Sequence, residues 1–344
     1  MTFNINIEPS QRQFSAQADE SLLLAAIRQG IGLPYGCKDG ACGSCKCRLV
    51  SGEVSMQPYQ EKALTPEEAS QGLILTCRAR PLSDVVLESK QVTAEGALPI
   101  RKMPARVARL ERLTDDVMRM VLQLPAAEAF VYHAGQYVEF ILRDGDRRSY
   151  SMANAAHTQT EVGGIELHLR HMPGGKFTDQ VFTELKEKAI MRLEGPFGSF
   201  YLREEADLPM IFLASGTGFA PIKALLEHMD LQGVTRSTTI YWGGRRPHDL
   251  YMADWLSAHC ADRPHLSFVP VVSDALDQDA WTGRTGFVHQ AVLDDCPDLS
   301  GFAVYACGAP VVIDSAKRDF IAQGLNPDHF FADSFTSAAD AAQG

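Results

Sequence analysis

The chain has 344 residues and a net charge of -11, with 45% hydrophobic and 22% charged residues. This balance suits a globular chain of two or three cores and shows neither the basic stripe of a nucleic-acid binder nor an apolar run long enough to span a bilayer. The opening MTFNINIEPS lacks a basic stretch followed by an apolar one. A secretory leader is therefore not expected, and in the cytoplasm then expected the eight cysteines serve as ligands or free thiols rather than disulfides.

TFNINI alternates Phe3, Ile5 and Ile7, which predicts a half-buried strand. QRQFSA follows as its hairpin partner, and SLLLAAIRQG reads as a short helix ending at Gly30. CKDGACGSCKC comes next. Its spacing is Cys37-x4-Cys42-x2-Cys45, and Cys77 follows in LILTCRAR. Three thiols on one loop and one from a distant segment is the plant-type [2Fe-2S] pattern. Small residues at Gly40, Ala41, Gly43 and Ser44 let such a loop wrap a cluster and aim N–H groups at sulfur. A zinc site calls for paired C-x2-C knuckles, of which only one is present, and buried free thiols need no glycine-rich loop. Cys47 does not fit the spacing and is read as a non-ligand. Strand, strand, helix and cysteine loop is the β-grasp order, and residues 1–92 resemble plant-type ferredoxins.

TAEGALPIRKMP has two prolines and no periodicity, so residues 93–103 are expected to be a linker. From 104 to 205 the runs ARVARLERL, VMRMVLQL, QYVEFIL, RRSYSMA, GIELHLR and AIMRLEGP predict an antiparallel barrel. In RRSYSMANA, Arg148 can make charge-assisted bonds to a pyrophosphate, Tyr150 offers a flat face and Ser151 a hydrogen bond; equally, an exposed arginine and a core tyrosine explain the strand. HMPGGKFTDQVFTEL sets Gly174 and Gly175 before a helix whose N-terminus, with Thr178, is an anion site, and EGPFGSF predicts a turn at Pro196 and Gly198. If Ile165, Leu167 and Leu169 face inward, His168 faces outward into solvent, and a metal role for His168 and His171 is not expected. R-S-Y-S, GGxxT and GPFG in this order resemble the flavin domain of the ferredoxin–NADP reductase superfamily. The resemblance implies FAD. It assigns Arg148 and Thr178 to the pyrophosphate, Tyr150 to ring stacking and Ser151 to the reactive N5 side, and it counts Ser149, Gly174 and Gly175 among the cofactor-binding residues.

From 206 to 336 short apolar strands alternate with helices, which predicts a parallel sheet with helices on both sides. GTG follows the first strand, and FAPIKALLEHMD after it has Ile222, Leu225, Leu226 and Met229 on one helix face. CGAP stands at the end of a later strand. The resemblance extends to both motifs. It implies that Gly216, Thr217 and Gly218 cradle the NAD(P) pyrophosphate and that Cys307 and Gly308 lie near the nicotinamide C4; a small buried thiol is the plainer reading of Cys307. Arg245 or Arg246 can meet a 2′-phosphate, the diphosphate, or neither. No acidic residue stands directly after that strand, and NADH is favoured by family habit. In FFADSF, Asp333 and Phe335 match the terminal acid–spacer–aromatic pattern of relatives, in which the aromatic covers the flavin. The small, polar tail 337–344 is expected to be disordered.

The expected architecture is thus α+β and multidomain: a β-grasp [2Fe-2S] domain, an antiparallel FAD barrel and an α/β NAD(P) domain. The chemistry implied is hydride transfer from NAD(P)H to FAD, then single electrons through the cluster to a protein acceptor, with Ser151, Cys307 and Phe335 at the reacting centre. The domain order resembles reductase components of Rieske-type and diiron oxygenases. YGCKDGACGSCK, WTGRTGFVHQAVLDDCPDLS and FFADSF bring the chain nearer the CDP-6-deoxy-glucoseen reductase family, which serves a pyridoxamine-dependent CDP-sugar dehydrase. A stand-alone NAD(P)H oxidase or diaphorase and a non-enzymatic redox sensor are the rival classes.

Overall fold

Alternation sets the first sheet. In β1 (Thr2–Glu8) Ile5 and Ile7 are buried, in β2 (Arg12–Gln17) Phe14 and Ala16, and the strands pair antiparallel from Thr2↔Gln17 to Ile7↔Arg12. Since neighbouring side chains on a strand point to opposite faces, this register gathers the four onto one core face. α1 (Leu22–Arg28) begins at Ser21, whose hydroxyl accepts the Leu24 N–H at 3.3 Å, and buries Leu22, Leu23, Ala25 and Ala26. After the cysteine loop come β3 (Lys46–Ser51), β4 (Val54–Met56), α2 (Pro66–Ser70), β5 (Leu73–Leu75), β6 (Ala79–Pro81) and β7 (Val85–Glu88). The sheet runs β2-β1-β7-β3-β5 with β1 and β7 parallel, and β4 pairs β6 in a separate ribbon. This is the expected β-grasp.

The computed structural model describes residues 1–92, 98–126, 129–204 and 207–335. Residues 93–97 of the expected linker and the expected tail at 337–344 lie outside the described residues. The chain divides into two compact units: described residues of 1–99, 198–200 and 332–335 form the first, and those of 100–197 and 201–331 form the second.

The second unit opens with a strand where the sequence suggests the end of a linker. β8 (Arg101–Arg112) takes in residues 101–103 and Pro104. Proline is tolerated there because the Arg101–Arg106 stretch pairs with β13 (Ile190–Phe197), while pairing with β9 (Val117–Gln123) starts only at Arg106. β10 (Tyr137–Ile141), β11 (Arg147–Ser151) and β12 (Ile165–Arg170) complete an antiparallel sheet in the order β11-β10-β13-β8-β9-β12. A Met152↔Leu167 bridge joins its ends into a barrel around Val107, Met120, Phe140, Leu167 and Leu193. Pro196 belongs to β13 rather than to a turn. The register with β10 slips between Glu194 and Phe197, and this bulge absorbs the missing N–H; the turn comes at Gly198, with φ +90. Two helices, α3 (Gln159–Val162) and α4 (Lys176–Thr183), flank β12 in sequence.

The rest of the unit is a parallel sheet: β14 (Met210–Ser215), β15 (Thr238–Gly244), β16 (Leu266–Val272), β17 (Arg284–Thr285) and β18 (Ala303–Gly308), in the order β17-β16-β15-β14-β18; β19 (Phe330–Ser334) follows later in the chain. The β14–β15, β14–β18, β15–β16 and β16–β17 pairs are parallel. Between them lie α5 (Phe219–Gln232), α6 (Ala253–Ala261), α7 (Val288–Asp295) and α8 (Pro310–Ala322). The order reverses direction between β14 and β18, which makes a crevice at their carboxyl ends the expected ligand site of such a sheet.

Candidate redox centre

The four spaced cysteines fall into two pairs. The Cys37 N–H donates to Cys42 Sγ and the Cys42 N–H to Cys37 Sγ, each at 3.3 Å, and Cys45 Sγ lies 3.2 Å from Cys77 Sγ. The pairs are close enough that the charges of Cys37 and Cys42 act on Cys77. Two thiols for each of two irons is what a [2Fe-2S] cluster requires. Among the described residues no three His, Cys, Asp or Glu side chains converge on a single-ion site. Hydrogen bonding from the Cys37 thiol, helped by Ser44, draws Cys42 down to about 6 against the opposing effect of burial, while the contact with Cys45 and then burial push Cys77 up. Thiolate ligands need such local donors. Gly43 sits at φ +73, and a Cβ there would meet the Ala63 carbonyl oxygen at 2.8 Å, so the loop closes only around glycine. The next residues are anchored through Lys46, whose ammonium donates to Glu68 at 2.6 and 2.7 Å; Glu68 in turn completes a capping box with Thr65. Cys47 lies inside β3, buried and paired with Ile74, and burial pushes its thiol up to about 12. It is a core residue next to the loop.

In the barrel, strand alternation puts Arg148 and Tyr150 on one face of β11 and Ser149 and Ser151 on the other. Arg148 donates to the Arg147 carbonyl at 2.7 Å and lies 3.4 Å from Asp146. Ser149 Oγ reaches Glu139 at 3.5 Å, and Ser151 is buried. The Tyr150 ring packs 5.9 Å from Phe140 and 5.5 Å from Phe177, in the first turn of α4, so the R-S-Y-S strand and the helix after Gly174 and Gly175 meet at one barrel edge. The Thr178 hydroxyl accepts the Met172 N–H at 3.1 Å and donates to the Met172 carbonyl at 3.0 Å. It therefore closes the turn. The first N–H groups of α4, which have no acceptor within the helix, are left to meet an anion. Arginine, an aromatic face and a helix N-terminus on one edge fit the phosphates and ring of FAD.

The two glycine motifs of the parallel sheet touch. Ala214 of β14 is in register with Cys307 of β18, and a Cβ on Gly218 would sit 2.1 Å from the Cys307 carbonyl oxygen. The Ala309 N–H donates to Ser215 Oγ at 2.9 Å, and Trp242 Nε1 donates to the Gly216 carbonyl at 3.0 Å. Gly216–Gly218 form one tight turn feeding α5, and Thr217 lies within it. A tight glycine turn at a strand end, opening a helix, is a geometry that fits a dinucleotide. Cys307 is wholly buried, so the wall beside the turn is main chain at Cys307 and Gly308. Beyond β15, the Asp249 carboxylate accepts the Arg245 and Arg246 N–H groups at 2.8 and 2.9 Å. Asp274, after β16, pairs with Arg245 at 3.4 Å and with Arg246 at 3.6 Å. Asp333 is buried, Phe335 directly follows β19 half-buried, and both belong to the first unit.

One expectation is corrected. His168 is buried, with Nε2 2.9 Å from Glu166 and Nδ1 3.0 Å from the Tyr251 hydroxyl. The outer face of β12 is covered by the α/β half of the unit, so facing away from the barrel core does not mean facing water. His171 pairs with Asp179 at 2.8 Å and stacks on Phe182. Glu166, Lys223, Glu227, Arg170 and Asp249, none of them singled out from the sequence, join the barrel to the parallel sheet; Arg170 lies 3.0 Å from Asp249. The available signal was Glu166, His168 and Arg170 at every second position, and a lysine inside the apolar run of α5.

Three family models cover most of the chain: a 2Fe-2S iron-sulfur cluster binding domain at residues 5–82, an oxidoreductase FAD-binding domain at 104–201 and an oxidoreductase NAD-binding domain at 212–318. The CDP-6-deoxy-L-threo-D-glycero-4-hexulose-3-dehydrase reductase of Yersinia pestis is 41% identical over 97% of this chain and 99% of its own. The chain belongs to the iron–sulfur branch of the ferredoxin–NADP reductase superfamily. The reductase component of propane 2-monooxygenase from Rhodococcus jostii is 33% identical over 97% of this chain and 92% of its own. Among solved structures, the Amycolatopsis cytochrome P450 reductase GcoB superposes with a TM-score of 0.78 at 33% identity, covering 98% of this chain and 99% of that one. This protein is accordingly an NAD(P)H-dependent flavin iron–sulfur reductase that passes electrons to a partner enzyme. No helix among the described residues is long and apolar enough to cross a membrane.

Proposed function

We propose that this reductase uses NADH and serves a dehydrase acting on a CDP-linked 6-deoxyhexulose. The identity of 41% to a reductase of that kind, against 32–33% to oxygenase reductases that also match over nearly their whole length, supports the choice of partner. When bound, the cofactors supply the chemistry: two electrons leave the nicotinamide together as hydride for the flavin and go on singly to the cluster. The residues of the chain bind and orient. Cys37 with Cys42 and Cys45 with Cys77 hold the two irons. Arg148, Ser149, Gly174, Gly175 and the start of α4 at Lys176–Thr178 receive the FAD phosphates, Tyr150 lies along the ring and Ser151 serves its N5 side. Gly216, Thr217 and Gly218 cradle the dinucleotide, with Cys307 and Gly308 as the wall of the nicotinamide end.

Asp274 supports the choice of NADH. Its carboxylate can accept from a ribose 2′-hydroxyl, repels a 2′-phosphate, and already engages Arg245 and Arg246.

The test of the partner is anaerobic. The NADH-reduced protein is mixed with the purified dehydrase loaded with its CDP-hexulose, and in parallel with a Rieske-type oxygenase component, and the cluster absorbance is followed. Rapid reoxidation by the dehydrase alone is expected. Reoxidation by the oxygenase and not by the dehydrase would sink the proposal.

A further inference from the structure

The face of β12 turned away from the barrel interior carries charge. Ile165, Leu167 and Leu169 fill the core, while Glu166 and His168, which alternate with them, have side chains 0% exposed on the other side. Glu166 accepts from Arg119 Nη2 at 2.6 Å and lies 3.4 Å from the ammonium of Lys223. Lys223 stands five residues after Gly218, in the helix that leaves the dinucleotide turn. Its side chain is only 6% exposed, and its Nζ donates to the Ala153 carbonyl at 3.0 Å and to Glu227 at 2.6 Å. Glu227, one turn further along α5, accepts the Ala155 N–H at 2.8 Å and the Thr158 hydroxyl at 3.1 Å. Ala153 and Ala155 lie just past Ser151, at the exit of β11.

We infer that Lys223, held between Glu166 and Glu227, is a positioning residue for hydride transfer, fixing the Gly216–Gly218 turn relative to the flavin strand β11. The inference rests on the reading that these two elements hold the dinucleotide and the flavin. The buried ammonium donates two hydrogen bonds, to the segment after β11 and to α5 itself, and lies at ion-pair distance from Glu166 of β12. A well-packed apolar contact would stabilise the junction at least as well. What the charged arrangement adds is direction: hydrogen bonds fix distance and tilt where apolar surfaces slide. Hydride transfer is sensitive to both, since reacting atoms must come within about 3–3.5 Å and a misplacement of about 1 Å costs roughly 100-fold.

The test uses holoprotein under argon. Lys223→Met is expected to slow flavin bleaching at saturating NADH about tenfold or more. Half-saturating NADH should stay within about threefold, and FAD content, iron content and the dithionite-reduced spectrum should be unchanged. Steady-state kcat with ferricyanide should acquire a deuterium isotope effect from 4-deuterated NADH, which a mere loss of folded protein does not produce. Glu227→Gln, which keeps an oxygen for the Ala155 N–H, should shift both readouts in the same direction by about threefold. Adding Glu227→Gln to Lys223→Met removes the carboxylate that loses its cationic partner. It should recover thermal stability without recovering the rate, and it carries the test if the single variant does not fold. A double variant with the native bleaching rate and native isotope effect would overturn the inference. Native holoprotein that NADH does not bleach would instead overturn the reading of the cofactor loops.

Discussion

The cysteine loop of the first unit and the dinucleotide turn of the second solve the same problem by opposite means. Around Cys37–Cys45 the side chains form the bonds, and the backbone is shaped to let them converge: Cys37 with Cys42, Cys45 with Cys77, each within 3.3 Å. At Gly216 and Gly218 there is no side chain, and the main chain of the turn lies directly against that of β18 at Cys307. On the proposed assignment, a ligand lost from the first site removes a cofactor and an atom added to the second displaces one. The two regions should therefore fail differently, in kind as well as in size.

The largest failure tests the first half of that comparison. Cys42→Ser replaces a thiol that its neighbours draw down to about 6 with a hydroxyl that does not ionise there. Iron content and the cluster absorbance should fall to background, and reduction of a protein acceptor should stop. NADH-driven reduction of ferricyanide should persist within about threefold, because flavin and nicotinamide chemistry does not need the cluster. Retained transfer to the protein acceptor without iron would place the protein among simple diaphorases.

Next in size is Gly218→Ala. The new methyl would stand 2.1 Å from the Cys307 carbonyl oxygen, and backbone cannot swing aside as a side chain does. The strand ends must part, at a cost of about 1–3 kcal/mol in stability and roughly 100-fold in flavin bleaching by NADH. The cluster should stay fully loaded. Denaturant midpoints and stopped-flow traces on one preparation check both. A smaller change is expected from Asp274→Asn, which releases Arg245 and Arg246 from a shared carboxylate. The ratio of kcat/KM for NADPH over NADH should rise about tenfold, or about 1.4 kcal/mol.

The second unit also carries a pH signature that the cluster loop does not share. Burial holds the His168 imidazole below its ordinary value, against the pull of Glu166. Burial raises Glu166, but the hydrogen bond from His168 and the charges of Lys223 and Arg119 hold it low. For His168 the unfolded chain takes up a proton as pH falls through about 6.5 while the folded chain does not, so stability is full above that pH and declines below it by up to about 1.4 kcal/mol per pH unit. The stability from Glu166 is complete above about pH 4.3 and is lost only as pH falls further, through its depressed folded value. Urea midpoints between pH 7.5 and 5.5 should therefore slope in the native protein and slope less in His168→Gln, where half-buried His259 and His289 still contribute. An equal slope in both would refute the assignment to His168.

These regions also differ in how far they could be read from the sequence. The cysteine loop was legible because its chemistry is local: four thiols, their spacing and the small residues between them. The same holds for the barrel and sheet strands, whose alternation or apolar runs stand alone. The junction was not. IELHLR has the pattern of a half-exposed strand, and nothing within it says that α5 and Tyr251 will cover Glu166 and His168. Thr178 makes a related point, since residue type marks a hydroxyl but not the turn at Met172 that it closes. Long-range partners decide such cases, and they are set by topology.

Cys47 gives the smallest effect and the sharpest test of the cysteine reading. It stands two residues from Cys45, close enough in sequence to be mistaken for a ligand, but strand geometry turns it into the core opposite Ile74. Its thiol is pushed up to about 12 by burial, so at neutral pH it is a small apolar group. Cys47→Ala should leave iron content, the visible spectrum and transfer to the protein acceptor unchanged. It should lower stability by about 1 kcal/mol, the cost of a small cavity. If Cys47 replaced one of the four as a ligand, this variant would lose iron and one of Cys37, Cys42, Cys45 or Cys77 would tolerate alanine. Iron measured across the five single variants separates the two arrangements: four empty proteins and one full one are expected, with Cys47→Ala the full one.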